Sequence, residues 1–148
     1  SLYKDGARMF AVFGLEPIGC SPNSIEIYGR DFSGCVLKLN QAAELFNGKL
    51  EAVVNELNKN LSYAELRYLN PTPSGSFGTI GIVELEKTCC ETENGSKTSG
   101  RMLCRKNSEA CNNPERYLYW DGHHHTELWH ELSARAAYEI LRTLAPKK

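Results

Sequence analysis

The sequence has neither a surplus of charge of one sign nor a long hydrophobic run. Its 148 residues carry 17 Lys and Arg against 18 Asp and Glu, a formal net charge of −1. This balance supplies no basic field for nucleic acid or an anionic membrane surface, so we expect neither partner. No apolar run approaches the roughly 20 residues of a helical membrane span. Residues 1–5 are polar and unlike a signal peptide. We therefore expect that a leader was removed or that the chain starts partway through a larger protein.

Six cysteines are many for a chain of this size, and none forms a C-x-x-C pair. An even count of this kind favours disulfides over zinc, although the sequence leaves the pairing open. Proximity suggests Cys20 with Cys35, and cross-links among the other four across residues 89–111. Sequons at Asn60 and Asn94 agree with a secreted protein or one of the secretory pathway. The remaining cysteines are Cys89, Cys90, Cys104 and Cys111.

Hydrophobic periodicity predicts a strand, a long helix and a second strand in the first half of the chain. The apolar run 9–13 is typical of a strand covered on both faces, and the alternating segment 64–69 predicts another. This order predicts parallel strands joined by one crossover. We expect Ser33 to be the N-cap of the helix and residues 58–60 to end it. The apolar stripe expected to form its core face is Val36, Leu39, Ala43, Phe46, Leu50, Val53 and Leu57.

The second half predicts a stapled loop, a third strand and a last helix. Residues 71–116 are too long for an unsupported loop, so the cysteines must staple them, with only 79–83 able to form a short ordered segment. Residues 117–120 predict a strand. A helix follows from about Thr126, a good N-cap, with Glu127 favourable in its first turn. Its stripe is Leu128, Leu132, Ala136, Ile140 and Leu144, with Trp129 beside it and Pro146 ending it.

The junction between the third strand and the last helix carries the residues best suited to chemistry. In open α/β sheets, ligands bind beyond the carboxyl ends of the strands. Asp121 lies there, three residues before His124, so its carboxylate can accept the Nδ1 proton and leave Nε2 free. This arrangement fixes the tautomer and stabilises the imidazolium when the histidine takes a proton from a nucleophile. On spacing alone, however, a capping Asp121 beside surface histidines is the better explanation.

Four histidines lie close together here: His123, His124, His125 and His130. Residues 126–130 fall one ligand short of a His-Glu-x-x-His zinc motif, because Thr126 stands where the first histidine belongs. We therefore expect no physiological metal site and no cofactor, and we expect His123 and His125 at the surface.

Several segments form an ordered set that extends along nearly the whole chain. Residues 7–22 read Ala-Arg-Met-Phe-Ala-Val-Phe-Gly-Leu-Glu-Pro-Ile-Gly-Cys-Ser-Pro. After them come Cys35, Asn40, Phe46, Asn47, Cys89, Cys90, Cys104, Cys111 and the run Tyr-Trp-Asp-Gly-His-His-His-Thr-Glu at 119–127. Together these motifs resemble the second half of plant GDSL esterase/lipases. The resemblance implies a three-layer α/β, flavodoxin-like SGNH-hydrolase fold and a Ser-His-Asp mechanism on acyl or lipid esters. Asp121 and His124 match the family's closing Asp-x-x-His motif.

The resemblance also implies what this chain lacks. The family's nucleophilic serine lies in an N-terminal Gly-Asp-Ser block, and a Gly block and a Gly-x-Asn-Asp block complete its oxyanion hole. None of the three occurs here. We therefore expect residues 1–148 to be the C-terminal portion of a single hydrolase domain, inactive alone. The N-terminal half or self-association would cover its exposed strands. The competing hypothesis is a truncated product or pseudoenzyme that binds a ligand or a protein partner.

This sequence departs from the family's pattern on both sides of the motif histidine. The family usually has proline after it, where this chain has His125, and an apolar residue before it, where this chain has His123. The segment between Pro73 and Cys89 is shortened or rewritten. These differences bear on substrate preference and on activity.

Overall fold

Two small parallel sheets, each packed against a helix, organise the chain. The computed structural model describes residues 1–32, 34–72, 81–93 and 102–143. In the described ranges β1 pairs with β2 and β3 pairs with β4, both parallel, so the fold is mixed α/β as predicted. The helices and strands are β1 (Met9–Phe13), α1 (Pro22–Tyr28), α2 (Leu37–Asn60), β2 (Glu65–Leu69), β3 (Glu84–Thr88), β4 (Tyr117–Tyr119) and α3 (Glu127–Leu141).

The β1–α2–β2 unit confirms the predicted parallel pair. The register runs from Met9 opposite Glu65 to Phe13 opposite Leu69. Inner positions of both strands pack on α2 in a core formed by Val54, Ala64 and Leu66. The other face of β1 is uncovered within the described residues, where Met9 and Phe13 are about half exposed, at 49% and 50%. The apolar run is typical of a strand covered on both faces, and this chain alone leaves one of them exposed, as expected without a partner.

Hydrogen bonds between side chains and the backbone hold both ends of α2. The helix begins at Leu37, whose N–H donates to the Asp31 carboxylate at 2.6 Å. That contact satisfies one of the unpaired N–H groups of the first turn. Ser33, the predicted N-cap, lies outside the described residues. At the predicted C-terminal end, the Asn58 amide accepts from the N–H of Leu66 and donates to its carbonyl, both at 2.8 Å. Asn58 thus fixes β2 against the helix.

The predicted core stripe of α2 is only partly buried. Ala43 is buried, but Phe46, Val53 and Leu57 are exposed, whereas Val54 enters the core. The reason is geometric, since two strands are narrower than the apolar face of a 24-residue helix. We call Phe46, Val53 and Leu57 the α2 stripe below.

A second core joins β4 to α3. It consists of Ile82, Leu118, Tyr119 and Trp129, with Leu128 and Leu132 packed against it. The last helix begins after Thr126 as predicted, yet the Thr126 hydroxyl makes no cap. It donates instead to the Tyr117 carbonyl at 2.8 Å. The predicted stripe is again displaced, because Ala137 is buried while Ala136 and Ile140 are exposed. Leu144 and Pro146 lie outside the described residues.

Two elements escaped the sequence analysis. Helix α1 has the expected signals, since the Ser21 hydroxyl accepts from the N–H of Ser24 and Pro22 occupies the first turn. With only 7 residues, this helix is too short to show hydrophobic periodicity in the sequence. Strand β3 reads Glu-Leu-Glu-Lys-Thr, a charged segment with one apolar residue. The ordered segment expected at 79–83 falls partly outside the described residues, and 81–83 form no strand.

All six cysteines are paired in disulfides. Cys20 bonds Cys35, as proximity suggested, and the loop region is cross-linked by Cys89 with Cys111 and Cys90 with Cys104. The two adjacent cysteines therefore tie the end of β3 to two different points of the following segment. Among the described residues, no helix is long and apolar enough to cross a membrane.

Candidate active site

The loop between β4 and α3 closes on itself through backbone hydrogen bonds. The N–H of Trp120 donates to the His124 carbonyl at 2.7 Å, and the N–H of Thr126 donates to the Leu118 carbonyl at 3.1 Å. Tyr119 and His125 form an antiparallel bridge. The loop therefore presents residues 121–124 at its tip, beyond the carboxyl end of β4.

Asp121 and His124 meet at this tip. Nδ1 of His124 lies 2.8 Å from Oδ2 and 2.9 Å from Oδ1 of Asp121. A carboxylate only accepts, so Nδ1 carries the proton and Nε2 points away from the pair. The side chain of Asp121 is 7% exposed, while that of His124 is 67% exposed. The buried carboxylate of Asp121 thus holds the accessible imidazole of His124 at Nδ1.

The carboxyl of Asp121 has a pKa below its ordinary value. Burial acts to raise the pKa, but hydrogen bonds to the ionised form outweigh it. Oδ1 accepts from the backbone N–H groups of His123 and His124, each at 2.8 Å, and the imidazole adds its own bond and charge. Asp121 is therefore an anion at neutral pH, suited to stabilise an imidazolium.

Gly122 anchors the tip to two distant segments. Its N–H donates to the Met102 carbonyl at 2.7 Å, and its carbonyl accepts from the N–H of Asn23 at 3.1 Å. A Cβ at this position would lie 2.2 Å from Cβ of Met102, so only glycine fits.

His123 is exposed as expected, but the expectation for His125 is wrong. His125 is 9% exposed, and its ring stacks on Tyr119 and packs against Trp129, with centroids 4.5 and 4.7 Å away. Nδ1 lies 3.0 Å from the Leu118 carbonyl, and Nε2 lies 2.5 Å from Oε2 of Glu16. The sequence analysis assigned Glu16 no role, because its partner His125 is 109 residues away along the chain.

A groove of about 400 Å³ opens beside this histidine, where β1 ends and α3 passes. Phe13, Leu15, Pro71 and Trp129 form much of its wall. The Ser133 hydroxyl of α3 donates to the Pro71 carbonyl at 3.2 Å and closes one end. A small apolar group would fit there.

The other predicted site residues do not gather at this loop. Within the described ranges, no group of three His, Cys, Asp or Glu side chains is placed to hold a metal ion. Asn60, the first sequon, is exposed at the end of α2. Asn94, the second, lies outside the described residues.

Fold and loop together define an α/β protein with a carboxylate–imidazole pair beyond the carboxyl end of a strand. The sequence profile of the GDSL-like Lipase/Acylhydrolase family matches residues 1–137. The chain belongs to this family.

Three proteins of Arabidopsis thaliana illustrate the relationship. GDSL esterase/lipase At2g19060 is 36% identical over 148 residues, which cover 97% of this chain and 41% of that protein. GDSL esterase/lipase At2g19050 is 36% identical over 97% of this chain and 40% of its own length. GDSL esterase/lipase APG is 36% identical over 91% of this chain and 39% of its own length. The chain thus spans about two fifths of the relatives it matches.

Proposed function

We propose that the chain is the C-terminal portion of a single SGNH-hydrolase domain with a three-layer flavodoxin-like fold, and that the complete protein hydrolyses carboxylic esters. In it His124 is the general base of a Ser-His-Asp triad, and Asp121 is the carboxylate that orients it. The observation that supports this most directly is the hydrogen bond from the accessible His124 ring to the buried, ionised Asp121. Family membership supports the reaction class.

His124 acts through Nε2, since Nδ1 is committed to Asp121. Nε2 accepts the hydroxyl proton of a serine outside this chain while the serine oxygen attacks the ester carbonyl carbon. The imidazolium, stabilised by the Asp121 anion, gives that proton to the departing alcohol. The acyl group is now bound to the serine oxygen. Water then attacks its carbonyl carbon and gives a proton to Nε2, and the imidazolium returns that proton to the serine oxygen as the carboxylic acid leaves. The loop contributes the hydrogen-bonded Asp121–His124 pair to these steps.

The uncovered apolar surfaces support a partner for this chain. Met9 and Phe13 on β1 and the α2 stripe are the kind of surface that a further layer buries. The partner in this proposal is the N-terminal half of the domain, and self-association of the chain is the alternative. Acyl esters are the substrate class.

The second candidate function is binding without catalysis, by a truncated product or pseudoenzyme. The absence from this sequence of the Gly-Asp-Ser, Gly and Gly-x-Asn-Asp blocks favours it for the chain alone. The ligand or protein partner would then occupy the same loop and groove.

A secretory origin completes the proposal. Three disulfides are typical of proteins folded in an oxidising compartment. The exposed Asn60 sequon fits the same compartment.

Intact mass of the native protein, with and without reduction, separates the two functions. The enzyme proposal expects a second fragment or a longer chain that carries Gly-Asp-Ser. It also expects turnover of p-nitrophenyl acetate, with a fluorophosphonate label outside residues 1–148. A lone 16.6 kDa chain without turnover would exclude catalysis. A label within this chain would overturn the mechanism.

Substitutions in the active preparation test the assigned roles. His124→Ala and Asp121→Asn should each lower kcat by about 10⁴, because the first removes the base and the second favours the wrong tautomer. Asp5→Asn, at an exposed carboxylate outside the loop, is the matched control and should keep full activity. Equal activity of all three variants would refute the assignment.

A further inference from the structure

The second carboxylate–imidazole contact in this region lies between Glu16 and His125. Glu16 belongs to the loop after β1, and His125 directly follows His124. The loop therefore has two imidazoles in adjacent positions, His124 and His125, each hydrogen-bonded to its own carboxylate. One ring is exposed and the other is buried.

Hydrogen-bond chemistry fixes how His125 is held. The Leu118 carbonyl can only accept, so Nδ1 of His125 must donate to it. Nε2 then faces Oε2 of Glu16, and a bond between these atoms needs one proton, carried by either group. Without that proton two lone pairs would face each other at 2.5 Å. The pair therefore shares one proton and joins the two loops.

Aromatic side chains exclude water from the His125 end of this contact. The His125 ring lies against Tyr119 and Trp129, and its side chain is 6% exposed, whereas that of Glu16 is 32% exposed. The charge of Glu16 also acts on Tyr119. Burial of Tyr119 raises the pKa of its phenol, and the negative charge of Glu16 raises that pKa further. The His125 end of the contact is thus enclosed by aromatic side chains, and its Glu16 end is partly open to solvent.

The contact between Glu16 and His125 also affects the position of His124. Adjacent Cα atoms lie about 3.8 Å apart, so a rotation of the His125 backbone moves its neighbour directly. Through Gly122 the tip is tied to Met102 and Asn23, which lie on other segments. Glu16 supplies a further tie, through His125, to the loop that follows β1.

We propose that Glu16 and His125 are positioning residues, which anchor the loop of Asp121 and His124 to the loop after β1. They touch no reacting atom and set where the His124 ring stands. This inference rests on the proposed function for its catalytic consequence, but the anchoring itself can be measured without turnover.

The first test follows amide hydrogen exchange by NMR in the 148-residue chain. Glu16→Ala should speed exchange at the N–H groups of Trp120 and Thr126 at least tenfold and leave the α2 amides unchanged. Glu16→Gln should stay within about threefold of the wild type, because its amide can donate to Nε2 of a neutral His125. Glu56→Ala, an exposed glutamate on α2, is the matched control.

Loss of exchange protection at the α2 amides in Glu16→Ala would mean that this variant does not fold. Glu16→Asp is then the deciding variant, since it keeps the carboxylate but its side chain is one methylene too short to reach Nε2 of His125. It should behave as the alanine variant does at the loop. Unchanged exchange at Trp120 and Thr126 in the folded variants would overturn the anchoring, whatever the activity.

The second test separates positioning from stability in a preparation that turns over ester. Glu16→Ala should lower kcat about 10- to 100-fold with KM within about twofold, since a displacement near 1 Å costs on the order of 10²-fold. Glu16→Gln should restore most of kcat. Loosened exchange with unchanged kcat in the folded protein would refute the positioning role. Loss of the proposed function would appear separately, as turnover that does not depend on His124.

Discussion

At the scale of the residue, Asp121 performs two tasks that the sequence presented as alternatives. It accepts the N–H groups of His123 and His124, as a turn-capping aspartate does, and it also accepts the Nδ1 proton of His124. A carboxylate has lone pairs enough for all three bonds. The cap therefore orients the carboxylate toward the ring, and the two interpretations describe one arrangement.

The low pKa of Asp121 predicts a pH dependence of stability. Folding favours the ionised form, so its stabilisation is complete above the ordinary carboxyl value of about 4 and is lost as pH falls through the lower folded-state pKa. Urea unfolding should show the wild type more stable than Asp121→Asn near neutral pH, with the difference narrowing steadily at acid pH. Asp5→Asn, which changes a carboxylate that is 74% exposed, is the control and should follow the wild type. A difference that is constant with pH would contradict the assignment.

His125 shows why part of the site could not be predicted. Spacing along the chain brings Asp121 and His124 together, because their bond is local. The burial of His125 depends on Glu16, Tyr119 and Trp129, and the first of these is far away in sequence. Nothing in the residues next to His125 along the sequence indicates that its ring is buried against a distant partner.

At the scale of the element, prediction succeeded where periodicity was long or strictly apolar. β1 was found with its bounds, and β2 followed from alternation. α2 ends where predicted but begins at Leu37, with Val36 and not Ser33 in the N-cap position. β3 has only one apolar residue, so its pairing with β4 depends on tertiary contacts that the sequence does not display. The exposed side of α2 was misjudged for a related reason, because a stripe shows where a helix can pack and not how much of it is covered.

Asn58 gives a prediction for the junction of α2 and β2. Asn58→Ala should lower the free energy of unfolding by about 1–3 kcal/mol, since it leaves the N–H and carbonyl of Leu66 without their partner. Asn55→Ala, on the exposed side of the same helix, should change it by less than about 0.5 kcal/mol. Chemical denaturation measures both. Equal effects of the two substitutions would show that the Asn58 bonds contribute nothing specific.

Two glycines give opposite predictions for the same substitution. Gly122→Ala places a Cβ 2.2 Å from a side-chain atom and 2.8 Å from the carbonyl oxygen of Met102, and should cost about 1–3 kcal/mol. Gly48→Ala, within α2, meets nothing within 4 Å and should stabilise by about 0.5–1 kcal/mol. Thermal unfolding separates the two by sign. Destabilisation by Gly48→Ala would mean that this part of α2 packs against something further.

At the scale of the whole molecule, the apolar surface around the β1–β2 sheet is only partly covered among the described residues. α2 covers one face of the sheet, and Ser133 of α3 donates to the Pro71 carbonyl just beyond β2. The α2 stripe and the outer residues of β1 consequently stay in contact with solvent in this chain. In the described residues, a closed loop with the hydrogen-bonded Asp121–His124 pair thus stands beside a core whose outer apolar residues face solvent.

The α2 stripe therefore predicts that the chain alone self-associates. Phe46→Glu replaces a half-exposed apolar ring by a charge and should weaken association about tenfold or more, because burial of such a ring contributes about 1.5–3 kcal/mol. Leu45→Glu changes a side chain that is 62% exposed and lies about 100° around the helix, so it is the matched control and should leave association unchanged. Analytical ultracentrifugation over a range of concentrations measures both, and unfolding free energies should stay within about 0.5 kcal/mol of the wild type. A chain that remains monomeric at every concentration would show that the exposed α2 stripe does not drive association. The argument for a covering layer would then rest on the exposed residues of β1 alone.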